Sequence, residues 1–220
     1  MVSARDEQER LGDTLAALRD AFPGASLTVA DDASTDSTPA IARAAGAGLV
    51  STASRLGKGG ATTLAVREVL DRIGPATVVL CDGDLGRSAY ALPALVEALE
   101  RGEGDLAVAV FARRVGGGFG IVLRFARAAI ERLTGLAPQA PISGQRAMSS
   151  AVARVLLPFA AGFGMETAMT IDAHRAGFRL VEVELALEHR ASGRSVGGFL
   201  HRGRQLVHIA RAVRARRRAG

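Results

Sequence analysis

Residues 78–86, VVLCDGDLG, run from an unbroken apolar stretch into two aspartates separated by one glycine. A short apolar run closed by Asp and Gly reads as a buried strand, the kind found inside a parallel sheet covered on both faces. Ligands of such sheets bind beyond the carboxyl ends of the strands, where Asp82 and Asp84 fall. In extended backbone, residues two apart point the same way, so the two carboxylates can converge while Gly83 permits close backbone approach. Hard oxygen donors suit Mg2+ or Mn2+, which take their remaining ligands from substrate phosphates and water. A turn with a helix-capping aspartate explains the same letters, so the motif alone leaves both readings open.

Working outward, Leu11, Leu15, Leu18 and Phe22 recur at helical spacing until FPG stops the helix. LTVAD at 27–31 is a short strand that delivers Asp31 and Asp32 at its end. Thr38 followed by Pro39 marks a helix start, with threonine able to cap it. A strand at GLVS, a helix from near Lys58, the strand ATVVLCD, a helix near 91–101 and the strand DLAVAVF follow in turn. This alternation predicts an α/β fold with a mostly parallel sheet flanked by helices. Only MVSA precedes Arg5-Asp6-Glu7, so the first strand is expected to be unusually short, or the natural start to lie upstream of Met1. Beyond 112 the pattern predicts a glycine-rich loop, a helix over 119–134, and an irregular connection at GLAPQAPISGQ. Helices near 149–157 and 165–176, the strand LVEVELAL and an arginine-rich final helix complete one continuous domain over 1–220.

With 220 residues and 48% apolar side chains, the chain can bury a core without staples. Its single cysteine, Cys81, has no internal disulfide partner, and the N-terminus does not resemble a secretion signal, so a cytoplasmic protein is expected. The longest apolar stretches fall short of the ~20 residues of a membrane-spanning helix. Net charge is +6, and residues 190–220 hold nine arginines and no acid, leaving 19 basic against 22 acidic groups before them. Such a tail suits an anionic lipid surface or a phosphorylated substrate, or a solvated helix. One tyrosine and no tryptophan argue against single-stranded nucleic acid as the partner.

Three further places carry candidate chemistry. Lys58 stands between glycines at a helix start, where free N–H groups and an ammonium favour an anion, although the Walker spacing is missing. Asp31 and Asp32 can accept hydrogen bonds from a ribose or base, or simply shape an Asp/Ser/Thr-rich loop. Glu166 opens a helix after GFG, where the dipole alone accounts for it, and His189 follows a strand among charged residues. His174 and His208 sit on expected helices without comparable context.

ARDEQERLGDTLAAL, VADDASTDST, RLGKGGATTLA and LCDGDL occur in the order and approximate spacing of nucleotide-sugar glycosyltransferases with the GT-A fold. The series resembles the broad family-2 type. PISGQRAM, LPFAAGFGMETAMTIDA and VEVELALEHRASGR are similar to the second half of glucosyl-3-phosphoglycerate synthases, with a fainter likeness to polyprenyl-phosphate sugar transferases. The resemblance implies a nucleotide-sugar half over 1–112, an acceptor half over 113–189 and a basic tail over 190–220. It also implies a UDP- or GDP-sugar donor and a Mg2+ or Mn2+ cofactor. By motif, Glu7, Asp31, Asp32 and Lys58 would meet the nucleotide, Asp82 the ribose or a metal-bound water, and Asp84 with His189 the metal. Gly118 and Arg190 join the substrate-binding set, and Glu166 would act as base on the acceptor or position the sugar.

One departure bears on the acceptor. Where the phosphoglycerate enzymes place an arginine and a threonine after a glycine pair, this chain has Phe119 and Ile121. Burying a charged acceptor against those side chains would cost affinity, so phosphoglycerate is disfavoured unless Arg113 and Arg114 compensate. A lipid-linked acceptor, contact of the basic tail with the inner face of the membrane, and a homodimer are the corresponding expectations. The alternatives are a sugar-nucleotide nucleotidylyltransferase, whose glycine-rich arginine-bearing loop SARDEQERLG does not supply, and a catalytically degenerate binding module of the same fold.

Overall fold

A computed structural model describes residues 1–112, 120–187 and 196–218, with the side chains of 196–202 and 218 left out of account. Seven strands make one sheet: β1 (Val2–Ala4), β2 (Thr28–Asp31), β3 (Gly48–Ser51), β4 (Thr77–Asp82), β5 (Leu106–Phe111), β6 (Arg146–Ser149) and β7 (Leu180–Leu185). Their spatial order is β3-β2-β1-β4-β6-β5-β7. All pairings are parallel except those of β6, which runs antiparallel to both β4 and β5. The mostly parallel α/β sheet is therefore present, and its first strand has three residues.

Among the described residues eight α-helices accompany the strands: α1 (Leu11–Ala21), α2 (Thr38–Ala44), α3 (Lys58–Leu70), α4 (Pro93–Glu100), α5 (Gly120–Thr134), α6 (Ser150–Leu156), α7 (Met165–Arg175) and α8 (Val196–Arg218). Strand alternation sorts them onto two faces. Ala107 and Ala109 of β5 join a core with Leu11, Leu15 and Leu18 of α1, Leu95 of α4 and Leu92 just before it. Leu106 and Val108 point the other way, into a core with Val66 and Leu70 of α3, Leu156 of α6 and Met165 and Met169 of α7. A third cluster joins Val122, Ala126 and Ile130 of α5 to Ile171 of α7 and Ile209 and Val213 of α8. The arginine-rich final helix is thus packed against the body through a buried apolar stripe.

Two local expectations are corrected. β4 stops at Asp82, and Gly83 and Asp84 form a turn, so strand alternation does not carry over to Asp84. The Thr38 hydroxyl does not cap α2. It accepts the Glu7 N–H at 2.8 Å, while Asp36 Oδ1 takes the Thr38 N–H at 2.9 Å. Among the described residues no helix is long and apolar enough to cross a membrane.

Candidate active site

The carboxyl ends of β1, β2 and β4 open onto a cleft of ≈ 910 Å³. Glu7, Asp32, Lys58 and Asp82 line it, as do Ala160 to Phe163 and one side of α8. At its centre Lys58 Nζ lies 2.6 Å from Asp82 Oδ1 and 2.7 Å from Glu166 Oε1. Lys58 keeps 19% of its side-chain surface and Glu166 6%, so the contacts form largely out of water. Burial alone would depress the ammonium, but the facing Asp82 and Glu166 carboxylates outweigh it and hold Lys58 above the usual lysine range. Lys58 is also the only lysine in the sequence, every other basic chain of that type being arginine.

The other oxygen of Asp82 is engaged too: Gln145 Nε2 donates to Oδ2 at 2.8 Å, and Gln145 Oε1 accepts from the Ser143 hydroxyl at 3.2 Å. Between them stands Gly144, where a Cβ would fall onto Lys58 Nζ and within 2.6 Å of Asp82 Oδ2. Arg146 follows, fully buried, with Nε donating to Ser143 O at 2.9 Å and Nη1 to Thr170 Oγ1 at 3.0 Å. Burial pushes its guanidinium down to about 10, opposed by the charges of Glu166 and Glu182, so it stays cationic at neutral pH. Glu166, at the start of α7, therefore sits between two cations.

Asp32 shapes the wall that carries Lys58. Its Oδ1 accepts the N–H groups of Leu56 at 2.7 Å and Gly57 at 3.0 Å, and its Oδ2 accepts Gly57 N–H as well. Gly57, at φ 77, then starts α3. Asp31 is buried and its Oδ1 takes the Ser34 N–H at 3.2 Å. Glu7 reaches the cleft because its backbone is tied to Thr38. The turn bearing Asp84 is latched from below by Thr14 of α1, whose buried hydroxyl donates to Gly83 O and accepts the Gly86 N–H, both at 2.8 Å. Gly83 does make the expected close approach, its N–H donating to Ser3 O at 2.9 Å.

The structure therefore brings Glu7, Asp32, Lys58 and Asp82 to one cleft, with the buried Glu166 joined to it through Lys58 and Asp84 in the adjoining turn. His189, Arg190, Gly118, Phe119, Arg113 and Arg114 lie outside the described residues. Ile121, at the start of α5, is 64% exposed. The sequence reading missed Thr14, Gly144, Gln145 and His208. His208, on α8, lines the cleft; its Nδ1 accepts the Phe163 N–H at 3.3 Å and its ring stacks on Phe163 with centroids 5.8 Å apart. His174 is exposed on α7. The GFG before Glu166 was the available signal for His208: a Cβ at Gly162 would collide with its ring, and one at Gly164 would come within 2.9 Å of its backbone oxygen.

Lys58 is thus held by one acid at a strand end and another in the first turn of a helix, beside an aspartate turn, and comparison with known proteins supplies the class of protein. Residues 1–153 match the model of glycosyl transferase family 2, and the chain belongs to that family. It is 31% identical over 229 residues to an undecaprenyl-phosphate mannosyltransferase of Micrococcus luteus, covering 96% of this chain and 91% of the relative. Among solved structures it is similar to glucosyl-3-phosphoglycerate synthase from Mycobacterium tuberculosis. The complex of that enzyme with Mn2+, UDP and glucosyl-3-phosphoglycerate superposes with a TM-score of 0.79 at 26% identity, and the complex with Mg2+ and UDP with 0.80 at 26%. In both cases 98% of this chain and 77% of the other are covered. The protein is a glycosyltransferase of the GT-A type.

Proposed function

We propose that this enzyme transfers a hexose from a UDP- or GDP-sugar, in the presence of Mg2+ or Mn2+, to an acceptor that carries a phosphate. The observation that carries the reading is the clasp of Lys58 between Asp82 and Glu166 in the cleft at the strand ends. The leaving diphosphate gains negative charge as the glycosidic bond breaks, and a fixed ammonium at that place stabilises the transition state more than the ground state. Glu166, held by Lys58, serves as base on the acceptor hydroxyl or as a positioning group for the sugar. Family membership sets aside the nucleotidylyltransferase alternative, and the intact clasp speaks against a degenerate binding module.

The donor set fits a divalent cation. Among the described residues no three His, Cys, Asp or Glu side chains form a closed cage. An open set of carboxylate oxygens completed by diphosphate and water is what Mg2+ and Mn2+ accept. With both oxygens of Asp82 committed to Lys58 and Gln145, we assign the cation to Asp84, aided by His189. The chemistry a bound cation would supply is neutralisation of the charge on the leaving diphosphate. The acceptor's phosphate is inferred from two relatives of different substrate: one is named for undecaprenyl phosphate, and the other is seen with a phosphorylated glycerate product.

Calorimetric titration of the intact protein with UDP and GDP, with and without Mn2+, tests the reading. Metal-dependent binding of one nucleotide is expected, and its loss in Asp84→Ala. Absence of metal-dependent binding by the unmodified protein overturns the proposal, and retention of the metal dependence in Asp84→Ala overturns the metal assignment.

A further inference from the structure

The cleft has a surplus of positive charge that the clasp does not use. Asp82 is neutralised by Lys58, the Asp32 carboxylate is held by backbone amides, and Arg216 is paired through two nitrogens with Asp172. Arg55, Arg204 and Arg211 also line the cleft, exposed, and among the described residues none has a carboxylate partner. The arginines of α8 are sorted by helical geometry. Arg204, His208, Arg211 and Ala215 recur at intervals of four, three and four and face the cleft, whereas Ile209 and Val213 face the α5–α7 core. Arg214 and Arg217 are exposed away from both.

Close backbone packing holds this row in place. A Cβ at Gly59 would strike the Ala160 carbonyl and one at Gly57 would reach within 3.1 Å of Gly162, so the start of α3 lies on segment 160–164. The same segment carries α8, because Gly162 and Gly164 admit His208 and Ala212. Glu166 begins α7 two residues later. With Nδ1 accepting the Phe163 N–H, Nε2 is the ring nitrogen of His208 left to donate.

We propose that Arg204 and Arg211 of α8, with Arg55 of the loop before α3, form the grip for the acceptor's phosphate. Planar guanidinium groups bind phosphate oxygens in pairs, and three without acid partners supply charge that the donor's diphosphate, answered at Lys58 and Asp84, does not require. The inference rests on the proposed phosphate-bearing acceptor, and names the residues that would select it.

Equilibrium binding of inorganic phosphate to the intact protein saturated with UDP and Mg2+ tests the grip, with binding of UDP itself as a separate arm. Arg204→Gln and Arg211→Gln are each expected to weaken phosphate binding on the order of tenfold, with UDP affinity changed by less than about twofold. Arg214→Gln and Arg217→Gln should leave both unchanged. Equal losses in those two controls would reduce the effect to diffuse charge, and parallel loss of UDP would place the arginines on the donor; either result overturns the proposal. Competition by farnesyl phosphate or by 3-phosphoglycerate identifies a lipid or a free source, and displacement by neither also overturns it. Failure of the unsubstituted protein to bind UDP would refute the donor reading alone, because the phosphate arm can be run without nucleotide.

Discussion

Lys58 sets two attractions against the one repulsion between Asp82 and Glu166, and its removal leaves the two carboxylates without the shared cation. Lys58→Met is expected to lower transfer on the order of 10²-fold or more, the loss typical of a missing preorganised charge at the reacting centre. It should also destabilise the fold by about 2 kcal/mol, less than for a fully buried pair because Asp82 keeps 34% of its side-chain exposure. Lys58→Arg should not restore activity, since the wider planar fork does not fit between Asp82, Glu166 and Gly144. Initial rates and urea unfolding check both statements. Because the folded-state pKa is raised, this stabilisation is complete below the unfolded lysine value of about 10.4 and is lost as pH rises beyond it. Unfolding free energies of the unsubstituted protein and Lys58→Met should therefore differ by the same amount from about pH 7 to about pH 9. Gly144→Ala is the complementary case. Its Cβ meets the side-chain ends of Lys58 and Asp82, which can shift, so folding survives while the clasp is displaced; transfer should drop on the order of 10²-fold, at a stability cost no larger than that of Lys58→Met.

Among the elements, the turn after β4 depends on α1. Thr14→Val removes a buried hydroxyl that serves both Gly83 O and the Gly86 N–H, and is expected to cost about 2 kcal/mol by leaving both groups unsatisfied. Metal-dependent UDP binding should weaken with it, because the turn carries Asp84; calorimetry on the folded variant distinguishes this from simple instability. The elements themselves were readable where local pattern decides them. β3 falls at GLVS as expected, and the run into CDGD ends a strand at Asp82. β6 was not readable. It has four residues, opens on a fully buried arginine, and exists only because Leu80 and Val108 flank Arg146 from strands far away in the sequence. The same long-range contact places Gln145 on Asp82, so the missed strand and the missed site residue have one cause. An arginine-rich final helix was expected, but only the packing of α8 on α5 and α7 shows which of its arginines face the cleft.

For the whole molecule, that packing changes what a deletion experiment can report. Removal of residues 205–220 strips Ile209 and Val213 from the third apolar cluster. Loss of the burial those two side chains provide is alone worth about 3 to 6 kcal/mol. The shortened chain should unfold at markedly lower temperature, measurable by calorimetry, and loss of vesicle binding in it would say nothing specific about charge. Neutralising the exposed Arg214 and Arg217 is the cleaner probe of a membrane contact. The solitary lysine has a practical corollary. Apart from the terminal amine, which donates to Val79 O, reagents directed at primary amines find one target in this protein, and it is the centre of the clasp. Acylation requires the neutral amine, which the facing Asp82 and Glu166 carboxylates withhold, so such reagents should leave the folded clasp intact and label Lys58 only where the site opens, a readout that mass spectrometry can follow.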